Sequence, residues 1–350
     1  MTLPDPLREL LTAHGPSGYE DAPAAVWRRH AEAFAEVQAD TTGSTTARVK
    51  GTGDGPKLAI VGHIDEIGVI VTHIDDKGFL WFSGFGWDTQ ILVGQRVSVA
   101  TRDGAIPGVI GRKPIHLLNA DERKKVAELK ELHIDIGAKD GDEARALVRI
   151  GDTAVIDADP VELPGGRVVS RALDNRLGCY VALEVARAVA EAGGAPGDVV
   201  AVAASQEETT FAGSKATAWR VEPDLAVVVD VTHATDAPGI SERENGSHGL
   251  GSGPVLARGQ SLHPKVFDLL AAAAEQASIA YTIEATDRWT YTDADSVTLS
   301  RAGIPCGVVQ LPLRYMHSPV ELVQLSDVQD AIKVIAALAL ALEPGTSFER

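Results

Sequence analysis

Residues 57–65 read Lys57-Leu58-Ala59-Ile60-Val61-Gly62-His63-Ile64-Asp65, and the architecture can be worked out from them. The first six residues form a short apolar run, partly β-branched and preceded by Gly55-Pro56, which predicts a buried strand over residues 57–62. An imidazole and a carboxylate follow, at the strand end where α/β proteins place functional groups. The segment therefore predicts a sheet with a site at its edge.

Strands and helices alternate in the pattern after Leu163-Pro164-Gly165-Gly166. Helices are predicted at about 174–192, 211–219, 264–278, 293–302 and 326–342, and strands at 198–205, 224–230, 280–284 and 305–311. In the first of these helices, apolar residues recur at a spacing near 3.6. This alternation predicts an α/β fold of three layers, with helices on both faces of a sheet.

Residues 70–164 have a different sequence pattern. Short alternating stretches at 78–82, 96–100 and 105–110, separated by Gly and Asp turns, predict a small, β-rich, barrel-like domain. Two helices are predicted within it, at 121–129 and 140–147. Because the sheet begins before residue 70 and resumes after residue 165, we expect an insertion that divides a larger domain made of residues 1–69 and 165–350.

Composition limits the partners and the compartment. The net charge of −17 argues against nucleic acid or an anionic membrane as a partner. The two cysteines, Cys179 and Cys306, form neither a disulfide framework nor a cysteine-based zinc site. The N-terminus has no signal-peptide pattern, and the longest apolar run, Val334–Leu342, is about half of what a membrane span needs. We expect the protein to be located in a reducing cytoplasm.

Residues that can bind a metal follow the predicted strands one after another. Zinc accepts imidazole nitrogen and carboxylate oxygen, so the set is suited to such an ion. Taken singly, each residue has an ordinary structural explanation, such as a helix N-cap at Asp174. Their coincidence at successive strand ends favours a metal site. The candidates are His63, Asp65, Asp174, Glu207, Glu208, Asp230 and His317.

Two spacings in this set have a mechanical meaning. His63 and Asp65 project to the same face of an extended chain, so Asp65 can accept a hydrogen bond from the imidazole and fix its orientation. The adjacent Glu207 and Glu208 allow one carboxylate to bind metal while the other acts as a general base. The chain has no Gly-x-Ser-x-Gly elbow, which argues against a serine hydrolase.

Five motifs follow one another along the chain: Gly62-His63-Ile64-Asp65-Glu66-Ile67-Gly68, Ala172-Leu173-Asp174-Asn175-Arg176, Gln206-Glu207-Glu208, Val229-Asp230 and Arg314-Tyr315-Met316-His317-Ser318-Pro319. In this order they resemble the motifs of the tetrahedral (TET) aminopeptidase family of metallopeptidases, which includes glutamyl and deblocking aminopeptidases. The resemblance covers nearly the whole chain and extends into the insertion, at Lys113–His116 and His133–Ala138.

The resemblance implies a fold of the co-catalytic zinc exopeptidase type and two divalent metal ions per subunit. Zinc or cobalt would be preferred, with manganese as a further option. Asp174 would bridge both metals. His63 and Asp230 would complete one metal, and Glu208 and His317 would complete the other.

The resemblance also implies the reaction and the assembly. Glu207 would be the general base and Asp65 the partner of His63, in an enzyme that removes N-terminal residues from short peptides. Residues 1–69 and 165–350 would form the catalytic domain. Residues 70–164 would mediate dimerisation, and six dimers would assemble into a tetrahedral dodecamer.

Two segments depart from the family pattern. Thr209–Gly213 replaces a Val-Gly-Leu-Arg-Gly-like stretch, and Tyr291-Thr292-Asp293-Ala294 replaces Gly-Thr-Asp-Ala. Both are expected near the substrate cleft, so the preferred N-terminal residue stays open. A metal-dependent deacylase, carboxypeptidase or dipeptidase could use the same architecture. A non-catalytic scaffold is a further alternative, which the retained Glu207 and the complete set of candidate ligands disfavour.

Overall fold

A computed structural model describes residues 2–350, and its elements follow the apolar pattern of the chain. In chain order the α-helices are α1 (Asp5–Thr12), α2 (Asp21–Ala31), α3 (Thr89–Leu92), α4 (Gly141–Leu147), α5 (Leu173–Glu191), α6 (Glu207–Thr210), α7 (Ala212–Val221), α8 (Glu242–Asn245), α9 (Pro264–Gln276), α10 (Ala294–Val297) and α11 (Leu325–Ala341). Within the described range, none of these helices has the length and apolarity that a bilayer crossing requires.

The strands, in the same order, are β1 (Glu36–Ala39), β2 (Thr45–Val49), β3 (Leu58–His63), β4 (Val69–Ile74), β5 (Leu80–Gly84), β6 (Arg96–Thr101), β7 (Gly104–Gly111), β8 (His133–Asp135), β9 (Thr153–Ile156), β10 (Val161–Leu163), β11 (Arg167–Ser170), β12 (Val199–Ala204), β13 (Leu225–His233), β14 (Val255–Gly259), β15 (Thr282–Thr286), β16 (Cys306–Arg314) and β17 (Glu321–Gln324).

Among the described residues, eleven strands form one mixed sheet. Nine of them lie in the order β1-β2-β12-β3-β13-β16-β17-β11-β10, while β14 pairs with β16 and β15 pairs with β14. The central strands β12, β3, β13 and β16 are parallel neighbours. Parallel strands covered on both faces are apolar along their whole length, and every residue of β3 and β12 is buried.

The sheet is covered by helices on both faces. Leu58 and Ile60 lie in a large core that includes residues of α1, α2, α5, α9 and α11. Ala59 and Val61, which project to the opposite face, lie in a smaller core with residues of α7 and α10. The predicted three-layer α/β fold is confirmed.

Helix α5 approaches the sheet so closely that two glycines are required. A Cβ atom on Gly62 would lie 2.3 Å from the carbonyl carbon of Gly178, and a Cβ atom on Gly178 would lie 2.4 Å from the carbonyl oxygen of Val229. Both distances are far below van der Waals contact. The N-terminal part of α5 is therefore held directly against β3 and β13, where the candidate ligands lie.

Contacts divide the chain into two units. The first contains the residues up to Asp65 together with Pro160–Met316 and Val320–Arg350, and the second contains Glu66–Asp159 with His317–Pro319. In the second unit, six strands close into a barrel in the order β4-β5-β8-β7-β6-β9. The barrel has its own apolar core. The expected small β-rich domain is thus a closed barrel.

Two helix predictions were wrong. Residues 121–129 form no α-helix; instead 3-10 turns lie at Glu122–Lys124 and Leu129–Glu131, because the segment has no buried apolar stripe and Val126 is exposed. The helix predicted at 293–302 is the short α10. The carboxylate of Asp295 binds the backbone N–H groups that precede it, and Leu299 is exposed, so a longer helix would gain no core contact.

Candidate active site

The carboxyl ends of the central parallel strands bring the candidate residues together. Val61 of β3 pairs with Val228 of β13, so His63 and Asp230, each two residues further on, project from the same face of adjacent strands. On the other side of β3, His63 itself pairs with Ala204, the last residue of β12. The strand register therefore places the segment that begins at Gln206 beside His63.

The imidazole of His63 lies among carboxylates. Its Nε2 is 3.2 Å from Asp174 Oδ1, 3.6 Å from Glu207 Oε2 and 4.0 Å from Asp230 Oδ1. All four residues are buried. Side chains from β3, α5, α6 and β13 thus converge on one nitrogen atom.

The other ring nitrogen of His63 faces Asp65. Nδ1 lies 3.4 Å from Asp65 Oδ1 and is a buried atom without a hydrogen-bond partner. Asp65 is fully buried and accepts hydrogen bonds from Ser17 Oγ at 2.5 Å and from the backbone N–H groups of Glu207 and Glu208. Asp65 lies behind the imidazole, and it also holds the segment that carries Glu207 and Glu208.

Burial and neighbouring charges shift the pKa values of His63, Glu207 and Asp230. Burial works against a charged imidazole, but Glu207, Asp174 and Asp65 outweigh it and raise the pKa of His63 well above its usual value. Burial raises the pKa of Glu207, and repulsion from Asp230 raises that pKa further. Burial and Asp174 raise the pKa of Asp230 in the same way. The site is therefore crowded with negative charge that water cannot screen.

The donor set fits a divalent cation. A metal ion supplies the positive charge that buried carboxylates need, and imidazole nitrogen with carboxylate oxygen suits zinc, cobalt or manganese. Within the first unit, two groups of residues could hold such an ion, each with ligand atoms that all lie within 4.8 Å of one another. They are His63, Asp174 and Asp230, and His63, Glu207 and Glu208.

His317, the remaining candidate ligand, follows β16. Its Nδ1 lies 3.1 Å from the carbonyl oxygen of Gly86. Because a carbonyl oxygen only accepts hydrogen bonds, Nδ1 is the donor in this contact, and in the neutral ring Nε2 then carries the lone pair. Metal-binding histidines commonly have this arrangement.

Among the described residues, four of the nine non-glycine residues with left-handed backbone lie at or within two residues of candidate residues. Ala172, Gln206, Tyr315 and His317 have φ values of 57°, 57°, 62° and 59°. Residues other than glycine adopt this conformation at an energetic cost, and such strain clusters at functional sites.

Sequence reasoning missed Asn175, which holds β13 next to Asp230. It is fully buried; its Nδ2 donates to the carbonyl oxygen of Val229 at 2.7 Å, and its Oδ1 accepts from Gly178 N at 2.9 Å. The available signal was a polar residue among the apolar residues of α5. Asn175 therefore fixes the backbone immediately before a candidate ligand.

Arg176 was also missed. It is fully buried, and it donates to the carbonyl oxygens of Ile64 at 3.2 Å, Leu10 at 2.5 Å and Ala13. Ile64 lies between His63 and Asp65, so the guanidinium connects this turn to the end of α1. A buried arginine is rare, and its three carbonyl partners account for it.

Asp293 is a further buried carboxylate that the predicted site did not include. It is 1% exposed, and its charge raises the pKa of both Glu207 and Asp230. It lies in Tyr291-Thr292-Asp293-Ala294, one of the two segments that depart from the family pattern. The departure therefore leaves this acidic group in place.

Comparison with known proteins agrees with this geometry. Residues 43–334 match the family described as M42 glutamyl aminopeptidase. A lysyl aminopeptidase of Pyrococcus furiosus is 30% identical over 346 residues, which cover 97% of this chain and 97% of the relative.

Solved structures are similar over the same length. The TET aminopeptidase of a marine sediment archaeon of the Thaumarchaeota has a TM-score of 0.92 and 36% identity, covering 97% of this chain and 96% of its own. The TET1 peptidase of Pyrococcus horikoshii, which can assemble into a tetrahedron or a large octahedral shell, has a TM-score of 0.83 and 30% identity, covering 97% and 99%.

The fold and these similarities define a peptide hydrolase of the aminopeptidase class. The match to the family spans most of the chain and includes every candidate site residue. The chain belongs to the M42 aminopeptidase family.

Proposed function

We propose that this aminopeptidase is a dinuclear, metal-dependent enzyme that removes N-terminal residues from short peptides. One observation carries the proposal: the Nε2 atom of His63 is surrounded by carboxylates from three different elements, all buried at the carboxyl ends of the central parallel strands. Ligands in open α/β sheets bind at such strand ends.

Two sets of ligands would hold the two proposed metal ions. His63, Asp174 and Asp230 would hold one ion, and Asp174, Glu208 and His317 would hold the other, so that Asp174 is shared. Zinc or cobalt would be preferred, and manganese suits the same donors. When bound, such ions would polarise the scissile carbonyl and acidify the attacking water.

Glu207 is the proposed general base. It would accept a proton from the attacking water and return it to the leaving amine. Its backbone is fixed by the hydrogen bond to Asp65 at 3.1 Å, and it is 8% exposed. Burial and repulsion from Asp230 make its carboxylate more basic than that of an ordinary glutamate.

The test separates the base from the ligands. Because Glu207 also belongs to one of the possible metal-binding groups, metal content must be measured beside activity. Glu207→Gln should retain both metals and lose kcat by roughly 10²–10⁴-fold. Glu208→Gln, the same change one residue on, should lose one metal. If Glu207→Gln keeps wild-type kcat, or loses a metal, its assignment as the base is wrong.

Chemically blocked peptides test which end is cleaved. Chelator-treated protein, reloaded with zinc, cobalt or manganese, should cleave a peptide that has a free α-amine. Acetylation of that amine should abolish cleavage, while amidation of the C-terminus should not. The reverse pattern would indicate a carboxypeptidase, and cleavage of the acetyl group would indicate a deacylase.

We also propose that residues 70–164 mediate dimerisation and that dimers assemble into a tetrahedral dodecamer. The tetrahedral assembly of the Pyrococcus horikoshii peptidase supports this. So does a set of exposed apolar side chains on the barrel unit, which includes Val109, Ile115, Leu117 and Ile150. A cytoplasmic location stays a prediction, supported by two free, buried cysteines.

A further inference from the structure

Three successive backbone N–H groups, at residues 206–208, are each bonded to a buried carboxylate. Gln206 N donates to Glu20 Oε1 at 3.0 Å. Glu207 N and Glu208 N donate to the two oxygens of Asp65 at 3.1 and 3.2 Å. The segment that carries the proposed base is thus fixed from two sides, by the end of β3 and by the loop before α2.

Glu20 serves this contact rather than its own helix. It stands at the N-cap of α2, yet its side chain makes no capping hydrogen bond. Oε1 instead accepts from Gly18 N at 2.6 Å in addition to Gln206. Glu20 is 4% exposed, and burial, with a contribution from Asp65, raises its pKa to about 7. A buried carboxylate lowers the stability of the fold. The hydrogen bond that Glu20 accepts from Gln206 N therefore explains its presence better than a stabilising role does.

The conformation of Gln206 makes this contact important. Its φ of 57° is left-handed, which is unfavourable for a residue other than glycine. It turns the chain after β12 and immediately before Glu207, so a change in its dihedral angles would move the Glu207 carboxylate. The loop that contains Glu20 also reaches Asp65, through Ser17 Oγ at 2.5 Å.

We propose that Glu20 is a positioning residue for Glu207, an inference that rests on the proposed role of Glu207 as the base. Glu20 holds Gln206 in its left-handed conformation and thereby keeps the Glu207 carboxylate directed at the cluster around His63. The contact joins residues 186 positions apart in the sequence.

Glu20→Met and Glu20→Gln distinguish positioning from stability. Methionine fills a similar volume without an acceptor oxygen. Removal of the buried carboxylate favours stability, whereas Gly18 N and Gln206 N lose their acceptor, so the two effects oppose each other and Tm should change little. In Glu20→Met, kcat should fall by roughly tenfold to a hundredfold with KM within about twofold and both metals retained. Glu20→Gln keeps an acceptor oxygen and should recover most of kcat.

Trp27→Phe provides the matched control in α2. Trp27 is fully buried and donates from Nε1 to the carbonyl oxygen of Cys179 in α5 at 2.9 Å. The variant should lower Tm and leave kcat unchanged. If Glu20→Met lowers Tm and its lower kcat is fully explained by the loss of folded enzyme, Glu20 is structural and the inference fails.

A double-mutant cycle with Glu207→Gln completes the test. If Glu20 acts through Glu207, Glu20→Met causes no further loss in the Glu207→Gln background, whereas independent losses would multiply and overturn the inference. Full activity of Glu207→Gln alone would instead overturn the proposed function. Wild-type kcat in Glu20→Met beside an inactive Glu207→Gln would overturn only the role of Glu20.

Discussion

Asn175→Asp tests how the candidate site is held together. Asn175 donates from Nδ2 to the carbonyl oxygen of Val229 at 2.7 Å and is fully buried. Aspartate has nearly the same shape, so packing is preserved. Its second oxygen, however, would face the carbonyl oxygen of Val229, with no hydrogen between the two atoms.

The expected loss of stability in Asn175→Asp has two parts. Losing the donor leaves a buried carbonyl unpaired, at about 1–3 kcal/mol. Burying a carboxylate without a cationic partner costs several kcal/mol more, unless it is protonated. We expect a loss of about 4–6 kcal/mol in the free energy of unfolding, which is of the order of half the stability of a typical domain.

Denaturant unfolding at neutral pH measures this loss. Asn245→Asp is the matched control, because Asn245 also donates from Nδ2 to a carbonyl oxygen, that of Ser241 at 3.1 Å, but is exposed. The control should change stability by less than about 0.5 kcal/mol. Asn175→Asp should also weaken metal binding, since Val229 precedes Asp230. Equal stability of the two variants would refute the reasoning.

Two further predictions concern pH and assembly. Burial raises the pKa of Asp327 to about 6, so its contribution to stability is present below its unfolded pKa of 3.8 and is lost as pH rises through 6. The stability advantage of wild type over Asp327→Asn should therefore fall by about 1 kcal/mol between pH 5 and pH 7.5 in urea unfolding, and a constant difference would contradict this. Light scattering should give a particle mass near twelve times 36.8 kDa, whereas a stable monomer would contradict the proposed dodecamer.

The three-layer fold could be predicted because its signals are local. Buried parallel strands such as β3 and β12 are continuous apolar runs, and α5 shows its helical period directly. The short α10 and the 3-10 turns near residues 122–131 could not be predicted in the same way. Their limits depend on side-chain hydrogen bonds to the backbone, such as those of Asp295, and on which apolar residues find a core.

The candidate ligands can be assigned from the local sequence, whereas the contacts that hold them depend on how the strands pair. A candidate ligand such as His63 can be assigned to a strand end from its neighbours in the sequence alone. Asp65 can likewise be placed behind His63 from a spacing of two residues. That Asp65 also binds the N–H groups of Glu207 and Glu208 follows only from the register in which His63 pairs with Ala204.

The same register explains why Glu20 is needed as a hydrogen-bond acceptor. Asp65 accepts from Glu207 N and Glu208 N, and the N–H group of Gln206 needs an acceptor as well. The carboxylate of Glu20, at the start of α2, supplies it. The sequence shows an isolated glutamate between Gly18 and a helix, but only the fold shows that this carboxylate completes the backbone contacts of the proposed base.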